Sequence, residues 1–455
     1  MDENVRNLEN TILVTLPAGV VLDEAELRLR VEQLRTVFPV SDEERDQLLR
    51  RLHARLAIRM DTGVALVAPD HKPWLLARKP AIDPFYWDRF SKHLSSLGWP
   101  GPVITAVDRV TDELLDLCGD PTRKEPWRRR GLVMGDVQSG KTSNYTALCC
   151  KASDAGYRLI ILLTGTLEGL RRQTQERLDT GFIGLDSSGF LSTRRQRREV
   201  GVGLIDRSRT GVVFTSRLKD FSTAIVNQLN FRLDSFHEPI LLVVKKNKKI
   251  LQNLHDWLKD YNVGTDGFVD VPLLLVDDEA DNASINTRGV DEDPTAINER
   301  IRTLLALFHR SSYVGFTATP FANIFIDPES ETDMLGNDLF PRDYVYALDS
   351  PTNYVGPTQV FGDGAAGILR VIDDAEDVFP HAHKSSLHVG VLPDSLIQAI
   401  DCFVLANVVR DLRGQGATHR SMLVNVSRFT DVQMQVAALV EQHLRDMQAD
   451  VRNYS

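Results

Sequence analysis

Residues Gly135–Thr142 read GDVQSGKT and match the pattern G-x-x-x-x-G-K-[ST] in full. An apolar run, Leu132–Met134, precedes the match, and a stretch compatible with a helix follows it. In a loop of this pattern, glycines allow a tight backbone path and N–H groups point at phosphate oxygens. The positive N-terminal end of the following helix favours the same anion. The stretch therefore predicts a strand, a phosphate-binding loop and a helix.

The polar residues of this loop have distinct expected roles. Lys141 is expected to contact the β and γ phosphates of ATP and to act in catalysis, and the Thr142 hydroxyl to ligate Mg²⁺. The predicted nucleotide-binding set is Gly135, Gln138, Ser139, Gly140, Lys141 and Thr142. The alternative is a glycine-rich turn with an exposed lysine.

A second motif, LLLVDDEAD, spans Leu273–Asp281 and places acids at the end of an apolar strand. Asp278 is the expected magnesium ligand, and Glu279 is the expected base that activates the attacking water. Asp277 is a competing candidate for either role, because three acids stand in a row. The alternative is an acidic turn after a strand.

A third motif follows the apolar run Tyr313–Phe316 and reads Thr317-Ala318-Thr319-Pro320. Alone it is an ordinary turn before proline. As the third motif in this order, it resembles the element that couples hydrolysis to domain motion in helicase-like ATPases. Thr317 and Thr319 are therefore the predicted coupling residues.

Length and composition are those of a soluble protein with two or three domains. The chain has 455 residues and a formal charge of −10, which argues against non-specific coating of nucleic acid but leaves a local basic groove open. Its four cysteines form no C-x-x-C pair, no signal peptide is readable, and the apolar runs are too short to span a bilayer. We therefore expect a cytoplasmic protein without a membrane partner.

Short apolar runs alternate with amphipathic segments after Gly131, which predicts a doubly wound parallel sheet covered by helices. The predicted strands are Leu132–Met134, Leu159–Leu163, Val212–Phe214, Ile240–Val244, Leu273–Val276 and Tyr313–Phe316. All three motifs fall at carboxyl ends of such strands, where these folds place their ligands.

Four regions are predicted along the chain. Residues 1–125 form a mainly α-helical N-terminal region, which includes a capping box at Ser41–Glu44. Residues 126–330 form the first α/β domain, and residues 331–394 a loop-rich insertion or linker. Residues 395–455, with a helix, a strand at Met422–Val426 and a second helix, read as the beginning of a second α/β domain that is incomplete.

Contacts to a polymer are expected after the strand that follows the phosphate loop, where small hydroxyl residues and backbone amides suit phosphodiester groups. The candidates are Thr164, Thr166, Arg171 and Gln173. The alternative is a solvated helix with Arg/Glu pairs. Basic clusters at Arg128–Arg130, Arg194–Arg198 and Lys245–Lys249 are expected either to line a groove or to form solvated charged faces. No nuclease motif is readable in the sequence.

Several strings together resemble the Z-one domain family, whose members are described as endonucleases. The strings are Gly131–Thr142, Leu170–Leu178, Asp277–Asp281, Gly315–Asn323, Leu392–Leu396 and Met422–Val424. The resemblance extends from about residue 70 to the C-terminus. It implies RecA-like domains and a superfamily-two helicase-like P-loop ATPase of restriction or defence systems, with DNA and restriction-system or nuclease subunits as partners.

Three functions follow from these observations. The main hypothesis is an ATP- and Mg²⁺-dependent helicase-like motor domain acting on DNA. The second is an ATP-binding switch or scaffold that recruits a separate nuclease without translocating. The third is a nuclease with unrecognised metal ligands. Helicase-like ATPases also use an arginine from a second domain, and no such motif is readable after Met422–Val426.

Overall fold

The computed structural model describes residues 3–15, 24–56, 63–136, 140–189, 198–228, 232–285, 295–324, 331–332, 336–337, 339–350, 352, 354–362, 369–416 and 419–454. The chain divides into two units, Met1–Gly356 and Pro357–Ser455. The helices are α1 (Glu3–Thr15), α2 (Glu24–Arg35), α3 (Asp42–Leu56), α4 (Leu75–Arg78), α5 (Phe85–Ser96), α6 (Gly101–Leu117), α7 (Lys141–Ala155), α8 (Glu168–Leu178), α9 (Thr223–Gln228), α10 (Lys248–Asn262), α11 (Ala296–Ala306), α12 (Phe321–Ile324), α13 (Pro357–Phe361), α14 (Asp394–Leu412) and α15 (Thr430–Tyr454). The strands are β1 (Val64–Val67), β2 (Trp127–Met134), β3 (Leu159–Thr164), β4 (Val212–Val213), β5 (Ile240–Lys245), β6 (Leu273–Asp278), β7 (Arg310–Thr317), β8 (Glu331–Thr332), β9 (Gly336–Asn337) and β10 (Tyr344–Ala347).

The first unit is an α/β fold around a sheet that has eight strands among the described residues. Their order is β1-β10-β2-β7-β6-β3-β5-β4, and only the edge pair β1–β10 is antiparallel. Each of the six runs predicted as strands between Leu132 and Phe316 contributes to this sheet. The prediction of a mainly parallel α/β sheet is therefore confirmed.

Alternating side chains of the strands enter two separate cores. Ile160 and Leu162 of β3 pack into the core that contains residues of α5, α6 and α7. Ile161 and Leu163 of the same strand pack into the core that contains residues of α10 and α11. Since side chains of a strand alternate between faces, the sheet carries helices on both sides.

Two strands of this sheet were not predicted. β1 lies in the region predicted as mainly helical, and β10 lies within the predicted loop-rich segment 331–394. Each has four residues, and β10 gains its hydrogen bonds from β1 on one side and β2 on the other. Strands this short depend on tertiary pairing that a local pattern does not contain.

The first three helices pack against one another. α1, α2 and α3 share a small apolar core. The predicted capping box is confirmed, because Ser41 N donates to Glu44 Oε2 at 2.9 Å and Glu44 N to Ser41 Oγ at 3.3 Å. α6 begins at Gly101, inside the Pro100–Pro102 cluster, because a proline is well tolerated in the first turn of a helix.

Asp154, near the end of α7, holds the beginning of α5. Its Oδ1 accepts from Tyr86 N at 2.9 Å and its Oδ2 from Trp87 N at 3.0 Å. Burial nevertheless raises the pKa of Asp154 to about 7. Burial also raises the pKa of Asp179 and of Asp220 to about 6.

These raised pKa values predict that stability falls as the pH rises. Between about pH 4 and pH 7 the folded state binds more protons than the unfolded state, so we expect the free energy of unfolding to fall by roughly 1 kcal/mol per pH unit from Asp154 alone. Urea unfolding of wild-type protein and Asp154→Asn at pH 5, 6 and 7 measures this. The substitution should give a shallower slope between pH 6 and 7, and an unchanged slope there contradicts the assignment.

The second unit contains α13, α14 and α15. Ile400 of α14 and Val432 and Val436 of α15 are buried in one apolar core. Met422–Val426, predicted as a strand, belongs to no strand or helix among the described residues. The Leu423 side chain is 89% exposed, and an apolar run becomes a strand only when a neighbouring strand supplies hydrogen bonds.

None of the helices in the described part of the chain is both long enough and apolar enough to cross a membrane.

Candidate active site

The carboxyl ends of β2, β7, β6 and β3 meet at one edge of the sheet, because these four strands are parallel neighbours. A cavity of about 840 Å³ lies at this edge. The polar residues that line it include Lys141, Thr142, Thr164, Gln173, Thr174, Arg177, Asp278, Glu279, Asp281, Thr317 and Thr319. The sheet thus brings the three sequence motifs together around one volume.

The predicted phosphate loop connects β2 to α7. Gly140 has a φ of 101°, a left-handed conformation that suits glycine, and α7 begins at the next residue, Lys141. Gly135 N donates to Thr317 O at 3.1 Å, which ties the loop to the end of β7. The predicted ligands Gln138 and Ser139 lie outside the described residues.

The Lys141 ammonium lies folded over this loop. Its Nζ donates to Gly135 O at 2.7 Å and to Asp136 O at 2.8 Å. Burial lowers the pKa of Lys141, and the nearby Asp278 carboxylate opposes that shift. The ammonium is therefore at the mouth of the loop with backbone carbonyls as its partners.

Thr142 has a neighbour that the sequence did not identify. Arg177 Nη1, near the end of α8, donates to Thr142 Oγ1 at 3.1 Å. Arg177 belongs to the string Leu170–Leu178, whose pattern carries no sign of a contact with the phosphate loop. The sequence offers one indication that Arg177 lies near the cavity, which is that its helix follows β3, the neighbour of the strand that carries the acidic motif.

Asp277 is not available to the cavity. Its Oδ1 lies 2.7 Å from Lys246 Nζ and its Oδ2 accepts from Tyr313 OH at 2.7 Å. The side chains of Asp277 and Lys246 are both 0% exposed. Of the two aspartates that compete in the sequence, Asp278 is thus the one that lines the cavity.

Asp278 and Glu279 form an acidic turn with a constrained backbone. Burial, with a further contribution from the Glu279 charge, raises the pKa of Asp278 to about 6. Glu279 has a φ of 54°, which is uncommon for a residue other than glycine. Lys246 Nζ donates to Glu279 O at 2.6 Å and to Asn282 O at 2.9 Å, so this buried ammonium holds both ends of the turn.

Gly165, at the end of β3, leaves room for the Glu279 carboxylate. A Cβ at this glycine would stand 2.9 Å from Glu279 Oε2, closer than a normal contact. Any larger residue at position 165 would therefore displace the carboxylate. The position of Glu279 therefore favours glycine at residue 165.

Asp281 links the second and third motifs. Its Oδ1 accepts from Thr317 Oγ1 and its Oδ2 from Thr319 Oγ1, both at 2.6 Å. Thr319 N donates to Thr317 Oγ1 at 2.9 Å. One carboxylate therefore connects the acidic turn after β6 to the threonine turn after β7.

The predicted polymer contacts separate into three environments. Thr166 is exposed, as a contact residue requires. Thr164 is 1% exposed, and Gln173 lines the cavity beside Lys141. The prediction that Arg171 contacts a polymer is wrong. It is fully buried, 2.7 Å from Glu168 Oε1 and 3.8 Å from Asp220 Oδ2, because its guanidinium ties α8 to the neighbouring loop.

The basic cluster Lys245–Lys249 is largely structural. Lys245 pairs with Glu168 at 3.1 Å, Lys246 is buried, and the Asn247 side chain caps the N-terminus of α10. Lys248 and Lys249 are exposed. At Arg128–Arg130, Arg128 Nε donates to Phe308 O and Arg129 pairs with Asp343, while residues 194–197 lie outside the described part. Most of the described residues in these clusters therefore make contacts within the fold.

Comparison with known families bears on the second unit. Residues 395–455 match the Z1 domain. The matched segment includes α15 and nearly all of α14, and it supports the resemblance to that family. Among curated proteins, none matches the chain.

Proposed function

We propose that the first unit is a RecA-like P-loop ATPase that hydrolyses ATP with Mg²⁺ and drives a helicase-like motor on DNA. One observation carries the proposal: Lys141, Thr142, Asp278 and Glu279, from separate parts of the sequence, line a single cavity. This combination of an ammonium, a hydroxyl and two carboxylates suits an anion that arrives with a divalent cation.

The residues present fit a magnesium-nucleotide complex. Thr142 and Asp278 would hold Mg²⁺, which prefers oxygen ligands and usually takes one or two carboxylates beside substrate phosphates and water. The described residues contain no group of three or more His, Cys, Asp or Glu side chains able to hold a metal ion. A magnesium ion brought by a nucleotide does not require such a group. When bound, Mg²⁺ would neutralise charge on the phosphate oxygens.

The chain's own residues divide the remaining work. Lys141 would exchange its two carbonyl partners for phosphate oxygens, and α7 would present its N-terminal N–H groups to the same anion. Glu279 would orient water and accept its proton, since Gly165 leaves space for its carboxylate and Lys246 fixes its backbone.

The motor part of the proposal is supported by the strand order. β7 lies between β2 and β6, so the threonine turn stands beside both the phosphate loop and the acidic turn. Gly135 N bonds to Thr317 O, and Asp281 bonds to Thr317 and Thr319. A change in the acidic turn would therefore reach the threonine turn, which is the predicted coupling element.

The test is ATP turnover by the purified chain, with and without Mg²⁺ and DNA. We expect Mg²⁺-dependent turnover that DNA stimulates and that Lys141→Ala lowers by about 10²-fold or more, because charged groups at a phosphoryl site contribute on this scale. Lys248→Ala is the matched control, since Lys248 is also the first residue of a helix but is exposed and outside the cavity.

Other results would point elsewhere. ATP binding without DNA-stimulated turnover favours the switch or scaffold. Magnesium-dependent DNA cleavage that survives Lys141→Ala favours a nuclease. Turnover that Lys141→Ala leaves unchanged refutes the proposed site.

A further inference from the structure

The cavity extends well beyond the residues expected to hold phosphate and magnesium. Past Thr142 it continues along α7 to Ser143 and Thr146. It ends against α5 and the turn after it, at Phe90, His93, Leu94, Leu97 and Trp99. We call these last five residues the α5 wall.

The α5 wall differs in chemistry from the phosphate end. It consists of two aromatic side chains, two leucines and one histidine, and these five residues include no carboxylate and no ammonium group. At the other end stand Lys141, Asp278 and Glu279. A ligand that fills the whole cavity therefore needs one charged end, such as an anion that arrives with a divalent cation, and one flat or apolar end.

Polar ring atoms are also available on the α5 wall. Among the described residues, neither the imidazole of His93 nor the indole N–H of Trp99 has a hydrogen-bond partner, and neither is sealed from solvent. Leu97 is 59% exposed. Burial lowers the pKa of His93, so the imidazole is neutral near pH 7 and offers one donor and one acceptor.

The spacing suits a nucleoside. Lys141 and Thr146 are five residues apart on α7, which is about 7.5 Å along the helix. A sugar ring fits between a phosphate held at Lys141 and a ring system held beyond Thr146. The cavity volume of about 840 Å³ is in the range typical of small-molecule and cofactor sites.

We propose that the α5 wall binds the nucleobase of the nucleoside triphosphate, with Trp99 contacting the ring face and His93 its polar edge. This inference rests on the proposed function of the phosphate end. The N-terminal helical region would then take part in ligand recognition. The ligand would be a complete nucleotide, because a polyphosphate or a single phosphate group has no ring to contact the α5 wall. α5 is held in place for this by the bonds from Tyr86 and Trp87 to Asp154 of α7.

The experiment compares binding of Mg-ATP and Mg-tripolyphosphate by calorimetry, using the full chain. Wild-type protein should bind ATP more tightly than tripolyphosphate. Trp99→Ala should weaken ATP binding by about tenfold, since an aromatic–base contact contributes on this scale, and leave tripolyphosphate binding unchanged. Trp99→Phe should restore most of the ATP affinity because it keeps a ring.

The controls separate local effects from misfolding. Lys92→Ala removes an exposed side chain of α5 next to His93 but outside the cavity, and it should change neither affinity. Tripolyphosphate binding by Trp99→Ala reports that the phosphate end is intact in the same variant.

Each outcome has a distinct meaning. Equal affinities of wild-type protein for ATP and tripolyphosphate overturn the nucleobase site and leave the proposed ATPase standing. A Trp99→Ala variant that loses both ligands equally, or neither, also overturns it. Failure of wild-type protein to bind either ligand refutes the proposed function itself.

Discussion

Glu279→Gln should lower the rate of ATP hydrolysis by about 10²- to 10⁴-fold, the range in which a positioned general base acts. The change keeps the size of the side chain, so the space beside Gly165 and the φ of 54° are preserved. It removes the ability to accept a proton from water. ATP affinity should therefore stay within about threefold, because the phosphate contacts are made by other groups. Single-turnover hydrolysis and equilibrium binding, measured on the same preparation, give the two values.

Glu299→Gln is the control for this substitution. Glu299 lies in α11, outside the cavity, and pairs with Arg300 at 3.3 Å. Its removal should leave turnover unchanged. Hydrolysis at the wild-type rate by Glu279→Gln would show that another group activates the water, with Asp278 the next residue to test.

Lys246→Met should lower the free energy of unfolding by about 3–5 kcal/mol, the usual cost of leaving one partner of a buried ion pair uncompensated. Lys246 and Asp277 are both fully buried, and the ammonium also serves the carbonyls of Glu279 and Asn282. Methionine is close in length but offers no donor. Urea unfolding at constant pH measures the loss.

A neighbouring lysine and a double variant test the reason for that loss. Lys245→Met removes a half-buried lysine whose partner, Glu168, is 42% exposed, and it should cost less than about 1 kcal/mol. Lys246→Met with Asp277→Leu removes both charges and should recover part of the stability. A single Lys246→Met variant as stable as wild type would mean that the buried pair contributes little.

The sequence was informative where function depends on a short local pattern at a strand end. The phosphate loop, the acidic turn and the threonine turn were predicted with their strands, and the structure brings Lys141, Thr142, Asp278, Glu279, Thr317 and Thr319 to one cavity. This succeeds because carboxyl ends of neighbouring parallel strands meet at one edge, whatever the length of chain between them.

It was less informative where a charged residue has two possible environments. Arg171 and Arg177 lie on the same helix, yet Arg171 is buried against Asp220 and Arg177 donates to Thr142. Lys246 was read as part of a basic surface and is a buried partner of Asp277. Composition around these residues is similar, and only the packing of neighbouring elements distinguishes them.

The short strands illustrate the same limit for the backbone. β1 and β10 form because other strands are present to pair with them, whereas Met422–Val426, which is also rich in apolar residues, pairs with no described strand. Pattern therefore reports the tendency to be extended, and tertiary context decides whether a strand results.

The strand order also determines when this cavity can exist during folding. β2 pairs with β7, so that Trp127 stands beside Arg310, and β10 joins the other side of β2 from still later in the chain. Such distant pairings are slow to form, since the intervening chain must be ordered before the contacts stabilise it. The cavity is completed only when these pairings are in place. Ligand binding at this edge therefore reports that β2, β7, β6 and β3 have paired, which makes it a sensitive measure of correctly folded protein in a preparation.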